Sequence, residues 1–184
     1  LRIKAIPEVL DYFSKEIELK KETLYNCKMV QAQDGVSVES DTLGALLYPL
    51  EGDTFALDMV IKPERYHEFG IALHVDKELE TGYFLRMNPK NQLVAWDMWP
   101  RGEQGRYQWQ IKGDVPYQIE TARKLPKAEE YRVHIIKEKD ICVVYINDEI
   151  VLSTRMYNHK DGYAGIYVVQ GNVKLIQYKE KRSE

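Results

Sequence analysis

The chain has 184 residues, 44% hydrophobic and 30% charged, a composition that fits one folded domain with a full core. A net charge of −3 gives no electrostatic basis for a phosphate-backbone partner, so nucleic acid is not an expected ligand. No apolar run reaches the length a membrane-spanning helix needs, so no membrane partner is expected either.

The first residue is Leu1 and no signal peptide is visible, so the chain is expected to be a processed form or an excised piece. Its location, cytoplasmic or secreted, would then follow from the parent sequence. Cys27 and Cys142 stand far apart and alone, which predicts two buried free thiols rather than a disulfide.

In chain order, Ile6 to Phe13 opens with a proline and predicts one or two helical turns with Val9, Leu10 and Phe13 on one side. Val30 to Glu39 predicts a hairpin around Asp34-Gly35, and Leu43 to Leu47 is an apolar run ended by Pro49. Phe55 to Lys62 alternates, with Phe55, Leu57, Met59 and Ile61 facing a core. Phe69 to Val75, Tyr83 to Met87 and Leu93 to Trp96 predict further strands, the last two as a hairpin turned at Asn88 to Asn91. The glycines among residues 97–113 predict a loop or irregular edge, and Tyr117 to Ala122 another strand. From Tyr131 to Tyr178, runs of Val, Ile and Tyr are broken at Lys139-Asp140, Asn147 to Glu149, Asn158 to Gly162 and Gln170 to Asn172. These breaks predict a meander whose Ile141 to Ile146 strand is central and covered on both faces. About twelve short strands without a long helix predict an all-β, concanavalin- or lectin-like sandwich of two antiparallel sheets. Residues 1–27 read as a short linker and first docking segment, and 28–184 as the sandwich.

The search for catalytic motifs finds little. His67, His74, His134 and His159 lack metal-ligand spacing and read as satisfied surface or sheet residues; no phosphate loop, nucleophile elbow or HExxH is present. No metal or cofactor is expected. No strand carries the alternating acids of a lectin-like glycosidase, which leaves Asp97 as the single candidate catalytic carboxylate, against a bland pairing with Arg86 or Arg101. All three tryptophans fall in one region, with Trp96, Asp97, Trp99, Arg101, Tyr107 and Trp109 close in sequence. Exposed indoles there would make a sugar platform; buried ones would make a core or a domain interface.

The run from Asp140 to Gly171, with Asp140, Asn147-Asp148, Ser153-Thr154-Arg155 and Met156-Tyr157, resembles the C-terminal β-sandwich of family 32 glycoside hydrolases, the β-fructosidases. Gly82 to Arg101 is similar to a hairpin of the same module, and Ile6 to Phe13 to the segment joining it to a catalytic propeller. The resemblance implies a non-catalytic accessory module of a fructan- or sucrose-cleaving enzyme. Its implied partner is a catalytic β-propeller that this chain does not contain, with an oligosaccharide ligand or self-association as alternatives. The family's Arg-Asp-Pro and Glu-Cys motifs do not occur here, so no catalytic residue is carried over.

Overall fold

A computed structural model describes residues 2–99, 117–119 and 121–183. Among these residues one helix, α1 (Pro7–Tyr12), precedes thirteen strands. The first five are β1 (Lys15–Glu16), β2 (Thr23–Tyr25), β3 (Lys28–Ala32), β4 (Gly35–Leu50) and β5 (Thr54–Arg65). Then come β6 (Glu68–Val75), β7 (Gly82–Asn88), β8 (Leu93–Trp99) and β9 (Tyr117–Gln118). The last four are β10 (Tyr131–Glu138), β11 (Ile141–Ile146), β12 (Ile150–Arg155) and β13 (Gly162–Arg182). The fold is an all-β, lectin-like sandwich.

Two long strands belong to both layers. β4 and β13 pair along most of their length, from Gly162 opposite Leu50 to Leu175 opposite Val36. The first half of β13 carries β6 on its other edge, which continues through β7 and β8 to β9 and forms the first sheet. Its second half carries β5, then β10, β11 and β12, and forms the second sheet. The change of layer falls at a bulge between Val169 and Gly171, where Gln170 has φ +49°. A Cβ on Gly171 would lie 1.8 Å from the Arg65 carbonyl oxygen, so only glycine fits the bend. This corrects the expected turn at Gln170 to Asn172: the chain bends there and does not reverse.

The inner faces close on one core. Leu57, Met59 and Ile61 of β5 meet Phe69, Ile71 and Leu73 of β6, with Leu85, Val94, Trp96, Val133, Val144 and Ile166 in the same cluster. Each such side chain contributes roughly 1.5–3 kcal/mol by leaving water. The alternation of β5 thus reads as the sequence predicts. β11 does not. It lies next to the edge strand β12; Cys142, Val144 and Ile146 are buried, whereas Val143 and Tyr145 are half-buried and Ile141 is exposed. The outer cover is slight: Phe13 packs on Ala56 and Ile136, with Ala5, Val9 and Tyr145 against them. Leu10, expected on the same side, stays exposed. The backbone N–H of Ile3 donates to Asp148 O at 2.7 Å and ties this N-terminal segment to the β11–β12 turn. Both cysteines are free; Cys142 is buried as expected, and Cys27 is half-buried, donating to Ala45 O.

Candidate functional site

Alternation gives each sheet one face turned away from the core. On the outer face of the first sheet, β6 supplies Glu68, Gly70 and Ala72, while Phe69, Ile71 and Leu73 go inward. The pairing register then assembles a row that no single strand contains. Gly70 stands opposite Arg86 of β7 on one side and opposite Tyr167 of β13 on the other. Phe84 stands between Ala72 and Asp97 of β8. The floor is built from small residues, since Ala72 pairs with Gly165, Arg86 with Ala95 and Tyr167 with Ala45.

The charged groups form a chain. Arg86 Nε lies 3.1 Å from Asp97 Oδ2 and 3.9 Å from Glu68 Oε2, and Tyr167 donates its hydroxyl to Glu68 Oε1 at 3.2 Å. The Arg86–Asp97 contact is an ion pair without hydrogen-bond alignment. Among the described residues, Asp97 Oδ1 and the Arg86 Nε–H are buried with no hydrogen-bond partner. Asp97 is only 2% exposed, and Arg86 and Glu68 are partly open to solvent. Burial pushes the Asp97 carboxyl above its ordinary value against the opposing pull of Arg86. Glu68 is raised for the same first reason, with Arg86 and the Tyr167 hydroxyl pulling it back. One guanidinium thus serves two acids, and neither is saturated. Such a site can accept hydrogen bonds from hydroxyls and donate one back, and Phe84 beside it offers a flat apolar surface.

The residues singled out from sequence divide. Trp96 is 0% exposed and sits in the core cluster, its indole N–H without a partner among the described residues, so this tryptophan takes the core alternative. Asp97 is on the outer face and pairs with Arg86, from within a strand and not from a loop. Trp99 ends β8 opposite Gly82. Arg101, Tyr107 and Trp109 lie outside the described residues. Glu68, Gly70, Phe84 and Tyr167 escaped the sequence reading, because their neighbourhood depends on register across β13, β6, β7 and β8. The available signal was the Glu68-Phe69-Gly70-Ile71-Ala72 alternation, which puts one acid and two small residues on the face away from the core.

A second polar cluster occupies the outer face of the second sheet. Asp58 binds His134 through Nδ1, and Lys181 Nζ lies 2.7 Å from Asp58 Oδ2. Burial alone would raise this carboxyl, but its contacts with His134 and Lys181 carry it down to about 2. A cavity of about 340 Å³ lies beside it, between Phe13, Val9 and Leu10 of the N-terminal segment and His134, Tyr145 and Lys181 of the sheet. His74 departs from the expectation of a satisfied sheet residue. It is buried with both ring nitrogens unpartnered among the described residues, and burial together with the nearby Lys137 charge lowers its pKa to about 3. Among the described residues, no group of three or more His, Cys, Asp or Glu side chains is placed to hold a metal ion. No helix among them is long and apolar enough to cross a membrane.

No family model matches the chain, and no curated protein matches it either. Solved structures do. The carbohydrate-binding module CBM66 from Bacillus subtilis superposes with a TM-score of 0.72 at 17% identity, over 89% of this chain and 96% of that one. The VIP36 exoplasmic/lumenal domain in its Ca2+/Man3GlcNAc-bound form gives 0.61 at 10% identity, over 89% and 84%. Sucrose-6-phosphate hydrolase from Lactobacillus gasseri gives 0.51 at 12% identity, over 90% of this chain but 28% of that one. These likenesses define the class: a lectin-like β-sandwich whose fold is shared with a carbohydrate-binding module and, more distantly, with one part of a sucrose-6-phosphate hydrolase. A membership in the family 32 C-terminal modules is narrower than a likeness of fold.

Proposed function

We propose that the chain is a non-catalytic carbohydrate-binding module that takes a neutral sugar on the outer face of the first sheet, at Glu68, Arg86 and Asp97. The observation that carries this reading is the buried Asp97 Oδ1 left without a partner beside Arg86. A buried acceptor in that state costs on the order of 1–3 kcal/mol until something donates to it. The donor called for is a hydroxyl, because two carboxylates around one guanidinium leave net negative charge that repels anionic sugars. The fold shared with CBM66 and with a mannoside-bound lumenal domain supports the ligand class. Trp99, Arg101, Tyr107 and Trp109, which adjoin Asp97 in sequence, belong to this proposal as sugar- or domain-contacting side chains.

The test is calorimetric titration with fructo-, manno- and galacto-oligosaccharides. Saturable heat lost in Asp97→Ala, with the fold intact, is the expected result. Silence across the panel defeats the reading.

The second reading is an accessory scaffold of a fructan- or sucrose-cleaving hydrolase. Favouring it is the match of nearly the whole chain to a 28% portion of the sucrose-6-phosphate hydrolase. In this reading residues 1–27 dock the sandwich of residues 28–184 to a propeller, with Ile6 and Tyr12, both more than half exposed, as contact points. Under either reading the isolated chain releases no fructose from sucrose, levan or inulin. Fructose release that disappears in Asp97→Asn would instead give Asp97 a catalytic role.

A further inference from the structure

Gly70 and Tyr167 bear no charge and lie beside the ion pairs, and Tyr167 is bonded to the acid nearest to them. A Cβ on Gly70 would lie 2.8 Å from Tyr167 Cε1 and 3.0 Å from its hydroxyl oxygen. The phenol therefore lies directly over Gly70, crossing from β13 towards Glu68 through space that any other residue would fill. Phe84 meets the ring edge-on at 5.7 Å and 83°, which fixes its tilt. Tyr167 is 3% exposed, so it is not itself a surface on which a sugar could stack. Its hydroxyl reaches Glu68 Oε1 while Oε2 faces Arg86.

We propose that Tyr167, admitted by Gly70, is the positioning residue of the sugar site: its hydroxyl holds the Glu68 carboxylate in one orientation so that Arg86 remains shared between Glu68 and Asp97. This rests on the carbohydrate reading of the site. Without the phenol hydroxyl, Glu68 is free to rotate and engage Arg86 with both oxygens, drawing the guanidinium away from Asp97 and from the ligand. The groups facing Glu68 are Arg86 from β7, Asp97 from β8, Tyr167 from β13 and His67 just before β6. Of these, the Tyr167 hydroxyl can be deleted with the least change in shape.

The test compares wild type with Tyr167→Phe, which keeps the ring and its packing on Phe84. Two measurements are made: calorimetric titration with a fructo-oligosaccharide and with mannotriose, and carbon NMR titration of the Glu68 carboxyl in the ligand-free protein. Expected are about tenfold weaker binding and a Glu68 titration midpoint moved to lower pH, because the two-oxygen pairing with Arg86 favours the carboxylate more than the lost phenol hydrogen bond did. A merely structural Tyr167 would leave the midpoint in place. Gly70→Ala is expected to act in the same direction, but its Cβ also meets Leu85 O at 2.0 Å, so folding is at risk and Tyr167→Phe carries the test. An unchanged or raised midpoint overturns the proposal, as does wild-type affinity in Tyr167→Phe. If neither sugar binds the wild type, the carbohydrate reading fails separately, while the NMR midpoint still decides whether Tyr167 positions Glu68.

Discussion

The outer faces of the two sheets carry the same kind of polar cluster, with acids and cations embedded in an apolar surface, and solve it oppositely. On the second sheet one carboxylate, Asp58, has two nitrogen partners, His134 and Lys181, and its pKa is pulled down to about 2. On the first sheet one cation, Arg86, has two carboxylates, Glu68 and Asp97, and both are pushed up. The first arrangement satisfies its carboxylate, leaves His134 Nε2 without a partner among the described residues, and is partly roofed by the N-terminal segment. The second leaves an acceptor and a donor unmatched. The difference teaches how to separate structural from functional charge here: a carboxylate with surplus nitrogen partners holds the fold together, and a cation with surplus carboxylates waits for a ligand.

The largest expected effect comes from removing the shared cation. Arg86→Ala leaves Glu68 and Asp97 facing each other without compensation. Sugar affinity is expected to fall more than a hundredfold, with about 3 kcal/mol of stability lost as well. Calorimetry and urea unfolding measure the two effects; binding retained within a few-fold would break the contrast between the faces.

Next comes the matching change on the other face. Asp58→Asn keeps the shape and removes the charge that His134 and Lys181 share. Stability is expected to fall by about 1–3 kcal/mol, with sugar affinity unchanged. A loss of binding in this variant would mean that the second face is not merely structural.

The smallest and most graded test is pH. Asp58 has its pKa lowered by folding, from the ordinary 3.8 to about 2, so its stabilisation is present above about 4 and is lost as pH falls towards 2. His74 is held neutral in the fold, from 6.5 down to about 3. The unfolded chain therefore takes up its proton first, and stability declines as pH falls from about 6.5 to 3. Glu68 and Asp97 have the opposite sign: the folded state protonates them more readily, so the fall in pH costs ligand binding and not stability. The acid loss of binding is thus expected above the pH at which Asp58→Asn and wild-type unfolding curves converge. His74→Phe should flatten the stability profile between about 6.5 and 3 and leave the binding profile alone. Chemical denaturation and calorimetry across pH 2 to 7 would show whether the two curves separate in this order.

Much of the strand inventory was legible in the sequence, because alternation of Phe55 to Ile61 or Phe69 to Leu73 is a property of neighbouring residues and needs no partner to be read. The Asn147 to Glu149 turn was legible for the same reason: Asn147 and Asp148 take positive φ, 52° and 56°, and the Glu149 N–H donates to Ile146 O across them. The sequence also supplied one member of the candidate site, Asp97, and its partner Arg86, since a charge within an apolar strand calls for an opposite charge nearby.

What the sequence left open was long-range. Gln170-Gly171 reads locally as a turn and is in fact a bend, because β4 and β5 flank the strand on either side and hold it extended through both sheets. Alternation places Trp96 and Asp97 on opposite faces without saying which face the other sheet covers; packing against the core of both layers decided that Trp96 is inside. Glu68, Arg86, Asp97 and Tyr167 lie on four strands spread over a hundred residues. Only the hydrogen-bonded register of β13, β6, β7 and β8 brings them within reach of one another, and register is set by the burial of whole strand faces rather than by any one residue.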